Sequence, residues 1–85
     1  MAAQIQYYAI ITLTRTVRAA SGLARRTFGP DGPVDEALRR DMTWQPDSVI
    51  LEWEYGDVGA ELVRVSEGET DQLADSFRAT WADLP

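Results

Sequence analysis

Two glutamates, Glu52 and Glu54, are separated by a single residue. On a β-strand, residues two apart point to the same face, so the two carboxylates would approach each other as an acid/base pair or as metal ligands. Arg64 lies opposite Glu52 in the hairpin that we predict below. An ion-pair ladder exposed to solvent is therefore the simpler interpretation of this acidic pair.

Asp31, Asp35 and Glu36 form a second acidic group, beside a glycine-rich turn. They lack the alternating acidic spacing of a calcium-binding loop, and a helix start explains them better. The chain has no cysteine and no histidine. This composition excludes disulfides, thiolate zinc sites and an imidazole base. We predict a non-enzymatic protein with no catalytic residue, no metal site and no cofactor.

Arginine is the residue type that favours a binding function. The first thirty residues contain four arginines and no acid, whereas the remainder has four arginines and all fourteen acids. The four are Arg15, Arg18, Arg25 and Arg26. Phe28 beside Arg25 and Arg26 is a combination that stacks on single-stranded nucleic acid. However, the net charge of −6 opposes a polyanion.

We therefore predict that the arginines bind an acidic protein surface. The alternative is binding of an anion or a single-stranded nucleic acid through the same four side chains. The composition also allows a simpler explanation of the arginine content. All eight cations are arginine, and lysine and asparagine are both absent, which is typical of a GC-rich genome.

The length of 85 residues predicts one domain, and 45% hydrophobic residues suffice for a core. A chain this short hides only roughly 60% of its unfolded surface, so a partner would add useful burial. The longest apolar run, from Tyr7 to Ile11, is five residues long. We expect a cytoplasmic location and no membrane partner.

The spacing of apolar residues predicts the strands and helices that would place these side chains. Alternation over residues 4–16 predicts a long strand, and residues 15–33 are interpreted as an arginine-rich loop. A short helix is expected from Pro33, and residues 48–55 and 61–65 are expected to form a hairpin with Trp53 opposite Val63 and Leu51 opposite Val65. Ser66 and Glu69 have the spacing of a capping box, which predicts a helix from about Glu67 to Ala82. Leu73, Phe77, Trp81 and Leu84 form its apolar stripe, and Trp53 is expected in the same core.

This order, β-α-β-β-α, predicts an α+β fold: a small antiparallel sheet of about three strands with two helices on one face. Tyr8, Ile10, Ile50 and Leu62 would then share the outer face as an apolar patch. Such a patch is often an interface, although the short helix could instead cover it, or the residues could be scattered. Trp44 either closes the edge of the core or anchors a partner.

Several segments resemble small uncharacterised acidic proteins of actinobacteria. They are Tyr7-Tyr8-Ala9-Ile10, Ser21 to Arg26, Val34 to Asp41 and Trp44-Gln45-Pro46. The resemblance implies a bacterial origin and a GC-rich genome, and it transfers no activity or site residue. From the residues themselves we predict a protein-interaction module that forms a homodimer, or binds another protein, through the outer sheet face and the arginine-rich loop.

Overall fold

The computed structural model describes residues 4–11, 20–56 and 59–82. The chain forms a five-stranded antiparallel sheet with two helices, in the order β-β-β-β-α-β-α. The elements are β1 (Gln4–Ile11), β2 (Gly22–Gly29), β3 (Gly32–Leu38), β4 (Trp44–Pro46), α1 (Val49–Glu54), β5 (Glu61–Val65) and α2 (Glu67–Ala82). The strands lie in the order β4-β3-β2-β1-β5. The prediction of about three strands in the order β-α-β-β-α is therefore wrong.

Much of the segment predicted as a loop is a β-hairpin. Strands β2 and β3 pair from Ala24–Ala37 to Gly29–Gly32, and Pro30 and Asp31 make the turn. Gly32 has a φ of +105°, a conformation that favours glycine. Pro33 therefore lies in strand β3 and does not begin a helix as predicted, because Pro30, Asp31 and Gly32 reverse the direction of the chain.

The described part of the strand predicted over residues 4–16 is β1, Gln4–Ile11. Residues 12–19, with Arg15 and Arg18, lie outside the described residues.

Residues 49–54 are helix α1, not the predicted strand. The Asp47 carboxylate accepts a hydrogen bond of 2.8 Å from the Val49 amide, so one free donor of the first turn is satisfied. The predicted hairpin register, with Trp53 opposite Val63 and Leu51 opposite Val65, is consequently wrong. Strand β5 pairs instead with β1, where Ala9 lies opposite Val63.

The two helices cover opposite faces of the sheet, and not one face as predicted. On the first face, Leu73 and Phe77 of α2 pack on a core from β1, β2, β3 and β5 that includes Ala9 and Leu23. On the second face, Ile50 of α1 packs against Tyr8, Ala24 and Leu62. Trp53 belongs to this second core, so its predicted place beside Phe77 and Trp81 is wrong.

Helix α2 is confirmed over its predicted bounds. The Glu69 amide donates to the Ser66 hydroxyl at 3.0 Å, and the Glu69 carboxylate accepts from the Ser66 amide at 3.1 Å. This reciprocal pair is the predicted capping box. Phe77 stacks on Trp81 with 4.7 Å between ring centroids, while Leu84 lies outside the described residues.

Candidate functional site

The predicted outer-face patch exists as a cluster but not as a surface. Tyr8, Ile50 and Leu62 are buried together, and Ile10 packs against them half-buried. Ile50, fully buried, belongs to α1, the helix that closes this face. The prediction of an exposed interface here is wrong, because residues 49–54, which were expected to form a strand, form helix α1 and cover this face of the sheet.

Arg26 is engaged within the chain. Its guanidinium donates to both oxygens of Asp35, at 2.7 and 3.0 Å, and to both oxygens of Glu54, at 2.9 and 3.0 Å. The hydrogen bonds to Asp35, followed by those to Glu54, are the main causes that raise the pKa of Arg26. The hydrogen bonds from Arg26 in turn lower the pKa of Glu54. The side chain is 13% exposed. This arginine therefore ties β2, β3 and α1 together.

Arg25 is also neutralised, on the opposite face of β2. Its Nε donates to Glu36 at 2.9 Å, and its Cζ lies 4.3 Å from the ring centroid of Trp44. Arg25 and Arg26, from the first thirty residues, thus pair with Glu36 and Asp35, from the acidic remainder of the chain, as cross-strand neighbours. Arg25 and Arg26 are not free cations, and Arg15 and Arg18 lie outside the described residues.

A different surface is left uncovered on the face that carries α2. Cross-strand register places Ile5, Thr27 and Val34 in one row, and Tyr7, Arg25 and Glu36 in the next. Together with Trp44, these side chains are what we call the open sheet face. Val34 is 54% exposed and Ile5 38% exposed.

The open sheet face follows from the dimensions of its elements. An eight-residue strand is about 26 Å long, whereas a helix with side chains is about 10 Å across. Helix α2 packs over Ala9, Ile11 and Leu23 and leaves the β2–β3 hairpin tip uncovered. Ile5 and Tyr7 were predicted on the core face, and they do point to that side: Tyr7 packs against the edge of the first core, whereas Ile5 stays 38% exposed.

Trp44 forms the wall of this surface. It begins β4 and packs, half-buried, against the first core. Its ring lies 6.3 Å from that of Tyr7, with Arg25 stacked on it. The residue thus closes the edge of the core, as one interpretation of the sequence predicted, and its ring also borders the open sheet face. Its role as an anchor for a partner stays a prediction.

A cleft of about 320 Å³ adjoins the open sheet face. It lies between β1, β5 and the start of α2, and its lining consists of Ile5, Tyr7, Arg64, Val65, Ser66 and Glu67. Ser66 is already committed to the capping box. The cleft therefore supplies a concave, mainly polar surface beside the exposed Ile5.

The acidic candidates have structural roles. Glu52 accepts a hydrogen bond of 2.9 Å from Ser48, and Glu54 binds Arg26, so the two carboxylates do not form a pair on a strand. Asp35 and Glu36 pair with the arginines of β2. Within residues 4–11, 20–56 and 59–82, no cluster of three or more acidic side chains is placed to hold a metal ion. No helix in this part of the chain is long and apolar enough to cross a membrane.

Sequence reasoning missed the contribution of Ile5, Tyr7, Val34 and Glu36 to a surface. The available signal was the Pro-Asp-Gly turn at residues 30–32. The stretches on either side of this turn do not alternate between apolar and polar residues, because both faces of the sheet are partly covered and Arg25 and Arg26 lie on opposite faces of β2.

Comparison with known proteins gives no match: no protein-family profile, no curated protein and no solved structure is significantly similar to this chain.

Proposed function

We propose that this protein is a non-enzymatic interaction module that binds another protein through the open sheet face. The observation that supports this is the cluster of Tyr7, Trp44 and Arg25, with the guanidinium over the Trp44 ring, beside the exposed Ile5 and Val34. Tyrosine, tryptophan and arginine are the side chains most often responsible for affinity at protein interfaces.

The rigidity of this surface favours binding. Arg25 is held by Glu36 and by the ring of Trp44, so it would lose little conformational freedom when a partner docks. Strands β1, β2 and β3 carry the row of Ile5, Thr27 and Val34 on a continuous ladder. A partner would therefore meet a preformed apolar strip flanked by one paired charge.

Charge makes a protein partner the better fit than a nucleic acid. The guanidinium at this surface is already paired with a carboxylate, and the chain as a whole carries −6. A polyanion would need to displace Glu36 and approach against the net charge of the protein. A protein partner can bury Ile5 and Val34 and leave the ion pair at the rim.

The test is quantitative affinity capture from the source organism with three baits. The bait Ile5→Ser/Val34→Ser removes the apolar strip, and Leu51→Ser is the control, because Leu51 is 46% exposed on α1 over the other face. We expect at least one protein to bind the wild type and the control equally and to be lost from the double variant. Circular dichroism checks that all three baits are folded.

Two results would contradict the proposal. One is that every captured protein binds the double variant as well as the wild type. The other is binding of mixed-sequence single-stranded DNA at low salt, tighter than about 1 μM, that Arg25→Ala/Arg26→Ala abolishes. The second result would favour the anion or nucleic-acid function instead.

A further inference from the structure

The two edges of the sheet differ in how they are protected against pairing with another strand. Strand β4 has three residues and ends in Pro46, which has no amide hydrogen. Strand β5 has five residues, Glu61–Val65, with no proline or glycine among them. Within the described residues its only neighbour is β1. Of the two described edge strands, β5 is therefore the one that lacks such protection.

The direction of the free backbone groups on β5 follows from the register. The Ile10 carbonyl faces β2, because it accepts a hydrogen bond of 2.7 Å from the Ser21 amide. Backbone groups alternate in direction along a strand, so those of Ala9 face β5 and bond with Val63. The amides and carbonyls of Leu62 and Arg64 consequently face away from β1.

We infer that β5 pairs with β5 of a second copy of this chain, antiparallel and centred on Val63. A two-fold axis at Val63 places Leu62 of each copy opposite Arg64 of the other. Both residues have outward backbone groups, so this register forms four hydrogen bonds between the copies. Registers shifted by two residues pair fewer residues of β5, and one of them brings Arg64 against Arg64.

The side chains agree with this register. Val63 meets Val63 as a close pair that is not hydrogen-bonded, where β-branched side chains pack well. Glu61 lies opposite Val65, so no like charges are directly opposed. The Arg64 guanidinium lies 5.7 Å from the Tyr8 ring on the α1 face, so this side chain does not extend along the strand edge toward the second copy.

The size of the contact predicts a weak dimer. Pairing of two five-residue edges falls below the roughly 1,200 Å² that stable interfaces bury. Each copy also carries −6, so the copies repel each other at low ionic strength. Added salt should therefore strengthen the association, since it screens this repulsion but leaves the backbone hydrogen bonds in place.

The experiment combines sedimentation equilibrium with amide hydrogen exchange on the wild-type protein. From about 10 μM to about 1 mM, we expect the mass to rise from 9.5 kDa toward twice that value. Over the same range the Leu62 and Arg64 amides should gain protection. The Val63 amide, which already bonds with β1, should change little.

Two variants of one residue separate the backbone from the side chain. Arg64→Pro removes an outward amide without removing a bond to β1, and should raise the dissociation constant at least about tenfold. Arg64→Ala removes the side chain, keeps the amide, and should leave the dimer in place. The pairing is refuted if the mass stays at 9.5 kDa throughout, or if a dimer forms while the Leu62 and Arg64 amides remain unprotected. Because exchange is measured on the wild type, the result stands even if Arg64→Pro does not fold.

Discussion

Arg26 of β2 and Glu54 of α1 form a bidentate ion pair across 28 positions of sequence, with N–O distances of 2.9 and 3.0 Å. Asp35 on β3 holds the same guanidinium from the other side. The pair therefore fixes the end of a six-residue helix to a sheet that it would otherwise contact through few apolar side chains. A helix this short is not stable alone, so such tertiary contacts decide whether it forms.

Replacing Arg26 by alanine should lower the free energy of unfolding by about 2–3 kcal/mol, because Asp35 is left mostly buried without its partner. Urea denaturation measures the loss. Arg78→Ala is the control, since Arg78 forms an exposed pair with Asp75 and should change stability by less than about 0.5 kcal/mol. Equal effects of the two substitutions would contradict the proposed role of Arg26.

Acid should weaken the link between Arg26 and Glu54. The pKa of Glu54 is lowered from 4.5 in the folded protein, so its contribution is complete above pH 4.5 and is lost as the pH falls through the folded value. Glu54→Gln should be less stable than the wild type at pH 7. Denaturation curves at several pH values should show that this difference narrows below pH 4.5. A difference independent of pH would show that Glu54 does not bind Arg26 as a carboxylate.

Ile50 and Leu51 distinguish the helix from the strand that alternation predicts. In α1, Ile50 is fully buried and Leu51 is 46% exposed, whereas the strand would bury Leu51. Ile50→Ala should cost about 2–5 kcal/mol and Leu51→Ala less than about 0.5 kcal/mol in thermal or urea unfolding. The reverse order would restore the strand assignment.

Phe77 should be the most costly residue to truncate in the first core. It is buried under α2 and stacks on Trp81 with 7° between the ring planes. Phe77→Ala should lower the free energy of unfolding by about 3–5 kcal/mol. Tyr55→Ala, at a position 74% exposed, is the control and should be nearly neutral. A loss below about 1 kcal/mol at Phe77 would contradict the register of α2.

The glycines that flank the β2–β3 turn should respond differently to alanine. Gly32 has a φ of +105°, which alanine rarely adopts, whereas the φ of Gly29 is not positive. A Cβ at either position meets no atom within 4 Å, so backbone conformation alone separates them. Gly32→Ala should cost about 1–3 kcal/mol, while Gly29→Ala should be neutral or slightly stabilising. Comparable losses at both positions in thermal unfolding would argue against this turn.

Structural features that depend on residues close together in sequence could be predicted without the structure. The capping box and the helix over Glu67–Ala82 were predicted correctly, because Ser66 and Glu69 are three residues apart and the stripe of Leu73 and Phe77 repeats at helical spacing. Alternation over Gln4–Ile11 also predicted strand β1, although it did not show that both faces are partly buried, with Ala9 in the first core and Tyr8 in the second. These signals are local, so no distant residue was needed to interpret them.

The other features of the fold depend on contacts between residues that are distant in sequence. Val49, Ile50 and Trp53 fit a helix as well as a strand, and the pairing of Arg26 with Glu54 and of β1 with β5 resolves this ambiguity. These contacts join residues far apart in sequence, and periodicity carries no information about them. Cross-strand pairing likewise turned the charges of β2 into internal ion pairs, and the limited reach of α2 left the open sheet face exposed. Long-range register and the physical size of one helix therefore determined where the open sheet face lies.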